Sequence, residues 1–182
     1  MIFKDLKAQI EHIKNSDPAA GSSFSIILLY SSIHVMFFYR IGNFLYRHKL
    51  KCFGRMITGF GRFLTGIEIH PGATIGSGIF IDHGMGVVIG ETAIVGDNVK
   101  LFHGVTLGSV TSKKGKRHPT IGNNVMIGAY SSVLGNIVVG DNAKIGASSV
   151  VLKDVDPNTT VVGNPATVKA NKSIEKQFIE QK

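Results

Sequence analysis

The chain has 182 residues, 43% hydrophobic and 18% charged, which fits one globular domain with a small appendage and excludes a disordered chain. Its net charge of +8 suits phosphate-bearing ligands or anionic surfaces. No helix-turn-helix, RNP-like motif or stripe of arginines among aromatics accompanies that charge, so nucleic acid is not expected as a partner.

The start, MIFKDLKAQIEHIK, is charged and amphipathic, unlike a secretory leader. Cys52 is the single cysteine, so no intramolecular disulfide can form, and a cytoplasmic protein is expected. Residues 1–65 read as helical. Leu6, Ile10 and Ile13 share a face at helical spacing. Asp17-Pro18 predicts a helix start, with the aspartate as N-cap and the proline in the first turn. Dense apolar residues over 26–46 predict a helix buried on several sides. The longest apolar run, 24–38, is broken by Ser25, Ser31, Ser32 and His34 and is shorter than the ~20 residues that span a bilayer, so no membrane span is expected. Over 51–65, Phe53, Met56, Ile57, Phe60 and Leu64 recur at helical spacing. Gly54, Gly59 and Gly61 each weaken that helix by up to ~1 kcal/mol relative to alanine.

A six-residue repeat then begins. Its ladder reads Ile69, Ile75, Ile81, Ile89, Val95, Leu101, Leu107, Ile121, Ile127, Val133, Val139, Ile145, Val151. One hexad is a short strand plus a turn, and three hexads close a triangular coil whose aliphatics stack on those eighteen residues on. Ile127 should lie under Ile145, and Val133 under Val151. The predicted fold is an all-β solenoid, a left-handed parallel β-helix of about five coils over 66–162, with an α-helical N-terminal region over 1–65. The helices are placed to cover an open end of the stack. A C-terminal tail, 163–182, carries Ile174, Phe178 and Ile179 at the spacing of a short helix.

The ladder breaks twice. The step from Ile81 to Ile89 holds Asp82-His83-Gly84-Met85-Gly86, and the step from Leu107 to Ile121 holds the basic excursion ending in Lys116-Arg117-His118-Pro119. An inserted pair bulges outward, which presents His83 on a fixed backbone. Imidazole is the usual general base near neutral pH, and it needs a carboxylate to orient it. Glu68, fifteen residues earlier and so close on the preceding coil, is the leading partner, with Asp82 and Glu91 as nearby acids. The same bulge also fits a plain surface turn closed by an Asx interaction at Asp82. Arg117 can grip a carboxylate in bidentate fashion, and Pro119 holds His118 extended. Lys113, Lys114 and Lys116 read as a solvated loop. His83, His103 and His118 lack the spacing of a compact metal motif and no thiolate cluster exists, so no metal is expected.

Taken together, Asp17-Pro18-Ala19, Leu28-Leu29-Tyr30, His34 and Tyr39-Arg40-Ile41-Gly42 in the helical part form one half of a larger pattern. The other half is Ile69-His70-Pro71, Asp82-His83-x-x-Gly86, Gly90-Glu91-Thr92, Val105-Thr106-Leu107-Gly108, Arg117-His118-Pro119 and Gly163-Asn164-Pro165-Ala166. This set resembles the serine O-acetyltransferases among the hexapeptide acyltransferases. The resemblance implies direct transfer of the acetyl group from acetyl-CoA to the L-serine hydroxyl in a ternary complex. The products would be O-acetyl-L-serine and CoA, in the first step of cysteine synthesis. On it, His83 matches the catalytic base, and Glu68 stands where the family usually has aspartate. Arg117 matches the residue that holds the amino-acid carboxylate. His118, Asp17 and Asp82 match the rest of the serine pocket, and His118 also joins His83 and Glu68 in the implied catalytic set. Ser109, Ala129 and Lys144 fall at positions resembling acetyl-CoA contacts: small Ala129 admits the pantetheine arm and Lys144 suits phosphate or adenine.

The family's pocket lies between subunits, which implies a homotrimer; longer members use extra helices to pair two trimers, and for this chain both the trimer and the dimer of trimers stay open. Cysteine in the serine pocket would act as a feedback inhibitor. The ending Ile179-Glu180-Gln181-Lys182 departs from the terminal isoleucine that longer members insert into O-acetylserine sulfhydrylase, so docking on that enzyme is not expected. The ladder alone also fits a hexapeptide acetyltransferase for homoserine, a sugar, an amine or an antibiotic, a zinc carbonic anhydrase-like trimer, or a scaffold. The first of these gives no reason for Asp17 or the Arg117-His118 pair.

Overall fold

The computed structural model describes residues 2–169. The tail residues Ile174, Phe178 and Ile179 lie outside them. Four helices come first: α1 (Ile2–Ser16), α2 (Ser23–Leu29), α3 (Ser31–Arg47) and α4 (Lys51–Thr65). The helix start expected at Asp17 falls elsewhere. The Asp17 N–H still bonds the Ile13 carbonyl at the end of α1 (2.9 Å), and Asp17 Oδ1 accepts from the Ala19 N–H at 2.9 Å in an Asx turn. With that carboxylate engaged two residues on, Ser22 becomes the N-cap of α2 and accepts from the Ser25 N–H at 3.2 Å.

The single buried helix expected over 26–46 is divided at Tyr30, where α2 and α3 meet with a bend of 68°. Among the described residues no single helix is long and apolar enough to cross a membrane. Ile33, Val35, Met36 and Tyr39 face inward, whereas Phe24, Leu28, Leu29, Phe37 and Phe44 are exposed. In α4 the expected apolar face also points outward, with Phe53, Met56, Phe60, Phe63 and Leu64 exposed. The buried stripe is instead Gly54, Thr58, Gly61 and Thr65. A β-carbon on Gly54 would stand 2.6 Å from the Gly42 carbonyl oxygen. The glycines that weaken α4 intrinsically therefore let it lie close against α3.

Three sheets follow, one per face of the solenoid. The first face holds Glu68–Ile69, Val88–Ile89, Thr106–Gly108, Ser132–Leu134 and Val150–Val151. The second holds Thr74–Ile75, Ile94–Val95, Thr120–Ile121 and Val138–Val139. The third holds Phe80–Asp82, Lys100–Phe102, Met126–Ile127, Lys144–Ile145, Thr160–Val162 and Thr167–Val168. Pairing is parallel throughout except for the last strand, which folds back antiparallel on Thr160–Val162. Ile127 pairs with Ile145 and Val133 with Val151, as the period predicts. Every ladder residue is buried, and each such aliphatic contributes roughly 1.5–3 kcal/mol relative to exposure.

The first coil would leave an open backbone edge, and the helices close it from both chemical sides. Tyr39 donates to the Ala73 carbonyl (2.7 Å), Asn43 to that of Pro71 (2.7 Å), and Arg40 to those of Ile75 (2.8 Å) and Gly76. In the other sense, Ser32 Oγ accepts from the Ile81 N–H at 2.9 Å and Asp5 Oδ1 from the Gly78 N–H at 3.3 Å. The capped edge thus meets the requirement that buried backbone groups be paired.

Candidate active site

The first break forms the corner between the third and first faces. After the strand Phe80–Asp82, His83, Gly84 and Gly86 have φ of 60°, 76° and 76°. A left-handed histidine is uncommon in general, but here it is the solenoid's own turn geometry, since Tyr130 and Ser148 at the same corner of later coils have φ of 58° and 56°. A β-carbon on Gly84 would collide with the Ile67 side chain, so the turn depends on glycine there. The backbone is tied by the Gly84 N–H to Asp82 O (2.7 Å) and the Gly86 N–H to Gly66 O (2.9 Å). His83 consequently projects from a fixed turn with its side chain 75% exposed.

Its neighbours are ordered. His83 Nε2 stands 3.7 Å from Asp82 Oδ1, and its ring meets His103 edge to face at 5.7 Å. Asp82 Oδ2 is 3.1 Å from Lys100 Nζ. Asp17 approaches from the helical side, where Tyr30 donates to its Oδ2 at 2.6 Å. That bond, then the Ala19 N–H, holds the Asp17 carboxyl below its ordinary range, and the Tyr30 hydroxyl is pushed up to about 12. The charges of Lys100 and His83 act on Asp17 in the same direction. Asp17, Asp82, His83 and Lys100 thus gather at one corner.

Glu68 is placed differently from expectation. Its carboxylate lies 2.9 Å from Arg62 Nη1, and in this chain Asp82 is the acid beside His83. Glu68 opens the first strand directly after α4, so the arginine in the last helical turn reaches it.

The second break lies at the next corner, between the first and second faces. Gly90-Glu91-Thr92 turns this corner, and Arg117-His118-Pro119 folds onto it from the following coil. Thr92 Oγ1 accepts from the N–H groups of Arg117 (3.0 Å) and His118 (3.2 Å). The Thr92 N–H donates to His118 Nδ1 at 3.2 Å, which leaves the neutral ring its proton on Nε2. His118 is 7% exposed, and burial, followed by the Arg117 cation, pushes its pKa below the usual 6.5. A β-carbon on Gly90 would collide with this ring. Arg117 Nη2 donates to Glu91 Oε2 at 2.7 Å, and Tyr46 donates to Glu91 Oε1 at 3.1 Å. The Arg117 bond holds the Glu91 carboxyl below its ordinary range. Lys116, expected to be solvated, donates to the carbonyls of Thr92 (2.8 Å), His118 (2.6 Å) and Pro119 (3.1 Å). It anchors the end of the excursion.

The chain is 54% identical over 168 residues to the serine acetyltransferase of Bacillus pumilus, across 92% of this chain and 77% of that protein. The chain belongs to the serine acetyltransferase family. Residues 118–153 also match the family described as bacterial transferase hexapeptide (six repeats). The soybean serine acetyltransferase complexed with serine superposes with a TM-score of 0.90 at 40% identity, over 92% of this chain and 69% of that one. The Brucella abortus serine acetyltransferase in complex with coenzyme A gives 0.90 at 40% identity, over 93% and 68%. A further solved serine acetyltransferase, in complex with cysteine, gives 0.91 at 37% identity, over 93% and 70%.

In this member of the serine acetyltransferase family the matched residues fall into separate places. Asp17, Asp82 and His83 share one corner, and Arg117 and His118 share the next. Ala129 follows the strand Met126–Ile127 at the same corner as His83, higher in the stack. Lys144 is exposed on the third face, while Ser109 follows the strand Thr106–Gly108 at the far side of the first face and closes its own loop through Thr111 O at 2.7 Å. His83, His103 and His118 do not converge within the chain, since His103 packs between His83 and Tyr130 and His118 lies at the other corner. The sequence pattern gives Lys100 no part, Lys116 only that of a solvated residue, and Thr92 only a place in the Gly90-Glu91-Thr92 motif. The one signal for Lys100 was its register with Phe80 across the enlarged coil.

Proposed function

We propose that the chain transfers the acetyl group of acetyl-CoA to the hydroxyl of L-serine, with His83 as general base, in a ternary complex. The observation that carries this reading is the exposed His83 on its fixed turn beside Asp82, with the Asp17 carboxylate at the same corner. The relatives solved with serine, coenzyme A and cysteine support the choice of ligands.

In this reading Asp17 and Asp82 face the serine ammonium group and Arg117 grips its carboxylate, with His118 beside it. His83 takes the hydroxyl proton as the oxygen attacks the thioester carbon. The developing oxyanion meets backbone N–H groups of the solenoid turns. The C–S bond then breaks, and the proton on His83 passes to the CoA thiolate. Glu68 is the proposed orienting acid and would take that part on leaving Arg62, while Asp82 stands 3.7 Å from His83 Nε2. Ala129, Lys144 and Ser109 line the path of acetyl-CoA. Because His83 and Arg117 stand at different corners, the site is completed by a neighbouring copy in a trimer, the corner of one chain facing the next corner of its neighbour. L-cysteine would occupy the same pocket as a competitor of L-serine.

The test is thiol release from acetyl-CoA by the purified protein with L-serine, run beside L-homoserine, a sugar and an amine. No serine-dependent release overturns the acceptor assignment. His83→Ala should lower kcat by a factor of ~10² or more, and a near-normal kcat sinks the base assignment.

A further inference from the structure

Lys100 stands beside the proposed acceptor pocket, and no step above uses it. It pairs with Phe80 on the preceding coil and with Met126 on the following one. Its side chain is 14% exposed, and that of its partner Asp82 is 16% exposed. An ammonium so far from water needs compensation. It finds Asp82 Oδ2 at 3.1 Å, the Ser16 carbonyl at 3.1 Å, and the rings of Phe80 and Phe102, each 4.7 Å away at the centroid.

These partners belong to different parts of the chain. Ser16 is the last residue of α1, where carbonyls lack helical partners and a cation is favoured. Asp17 follows it directly. Asp82 ends a solenoid strand and leads into the His83 turn. One side chain therefore pins the helix end that carries Asp17 to the strand end that carries Asp82.

We propose that Lys100 is a positioning residue of the acceptor pocket. It fixes the separation of Asp17 and Asp82, and its charge leaves the two carboxylates with one net negative charge to match one ammonium group. This rests on the reading of those two aspartates as the ammonium site.

The experiment compares the full chain with Lys100→Met, which keeps the apolar stem, and Lys100→Arg, which keeps the charge. Two readouts are taken: amide hydrogen exchange, and steady-state KM for each substrate. Lys100→Met should speed exchange across 17–20 while the solenoid strands stay protected. It should raise the KM for L-serine about tenfold and leave that for acetyl-CoA within about twofold, and Lys100→Arg should recover most of the loss. Unchanged exchange at 17–20 overturns the clamp whatever the activity. Faster exchange with an unchanged serine KM overturns the pocket role, and faster exchange everywhere overturns the specific one. If the wild-type protein does not turn over L-serine, the acceptor reading falls by itself and the exchange comparison still decides the clamp.

Discussion

At the corner that carries His83, the imidazole is exposed on three positive-φ residues, and its acid neighbours arrive from a strand end and a helix end. At the corner that carries His118, the imidazole is buried, its Nδ1 accepts from a backbone N–H, and a lysine spends all three protons on carbonyls around it. One corner presents a group that can exchange a proton with something outside the chain. The other presents a rigid bracket with the Arg117 guanidinium at its mouth. On the proposed reading neither corner is a whole site: the first lacks a grip on a carboxylate, and the second lacks an exposed base.

The strongest way to break this comparison is to disable one corner in each of two chains. His83→Ala and Arg117→Ala should each be nearly inactive alone. If neighbouring copies share the site, co-refolding the two at equal amounts should restore about a quarter of wild-type thiol release, because one shared interface in four then joins two intact corners. A mixture no more active than its parts would place both corners in the service of one chain. Next in size, Arg117→Lys keeps the charge and loses the fork. It should raise the KM for L-serine by roughly 10-fold or more while changing kcat less, and an unaltered KM would remove Arg117 from the acceptor's carboxylate.

The smallest effect sharpens the buried corner. The His118 pKa is depressed in the fold, so the unfolded chain binds more protons as the pH falls below 6.5. The stability this group contributes is present above that value and is lost as the pH falls through the folded value. The melting temperature of the wild type should therefore decline through this window, and that of His118→Gln should decline less steeply. Parallel profiles would show that His118 is not the group responsible.

The ladder was legible because its period is local and its aliphatics have one place to go. Both breaks were legible as departures from a count. What the sequence concealed was contact between distant residues. Lys100 meets Ser16 and Asp82 from separate elements, and composition alone makes any lysine a solvated one. In α4 the spacing of Phe53, Met56 and Phe60 identified a helix but not which face turns inward, since the glycine and threonine stripe permits a closer helix contact than the aromatics would. Glu68 was placed near His83 by coil arithmetic, but that arithmetic could not count Arg62 at the end of a helix.

The two ends of the stack have a consequence for assembly. A solenoid with bare ends is a template on which further chains can add without limit. Here one end is sealed by donors and acceptors from α1 and α3, and at the other Thr167–Val168 reverses direction against its neighbour. Lengthwise growth is refused at the helix-capped tip, which favours side-by-side contact for the proposed trimer, where a closed ring rather than a fibre can form.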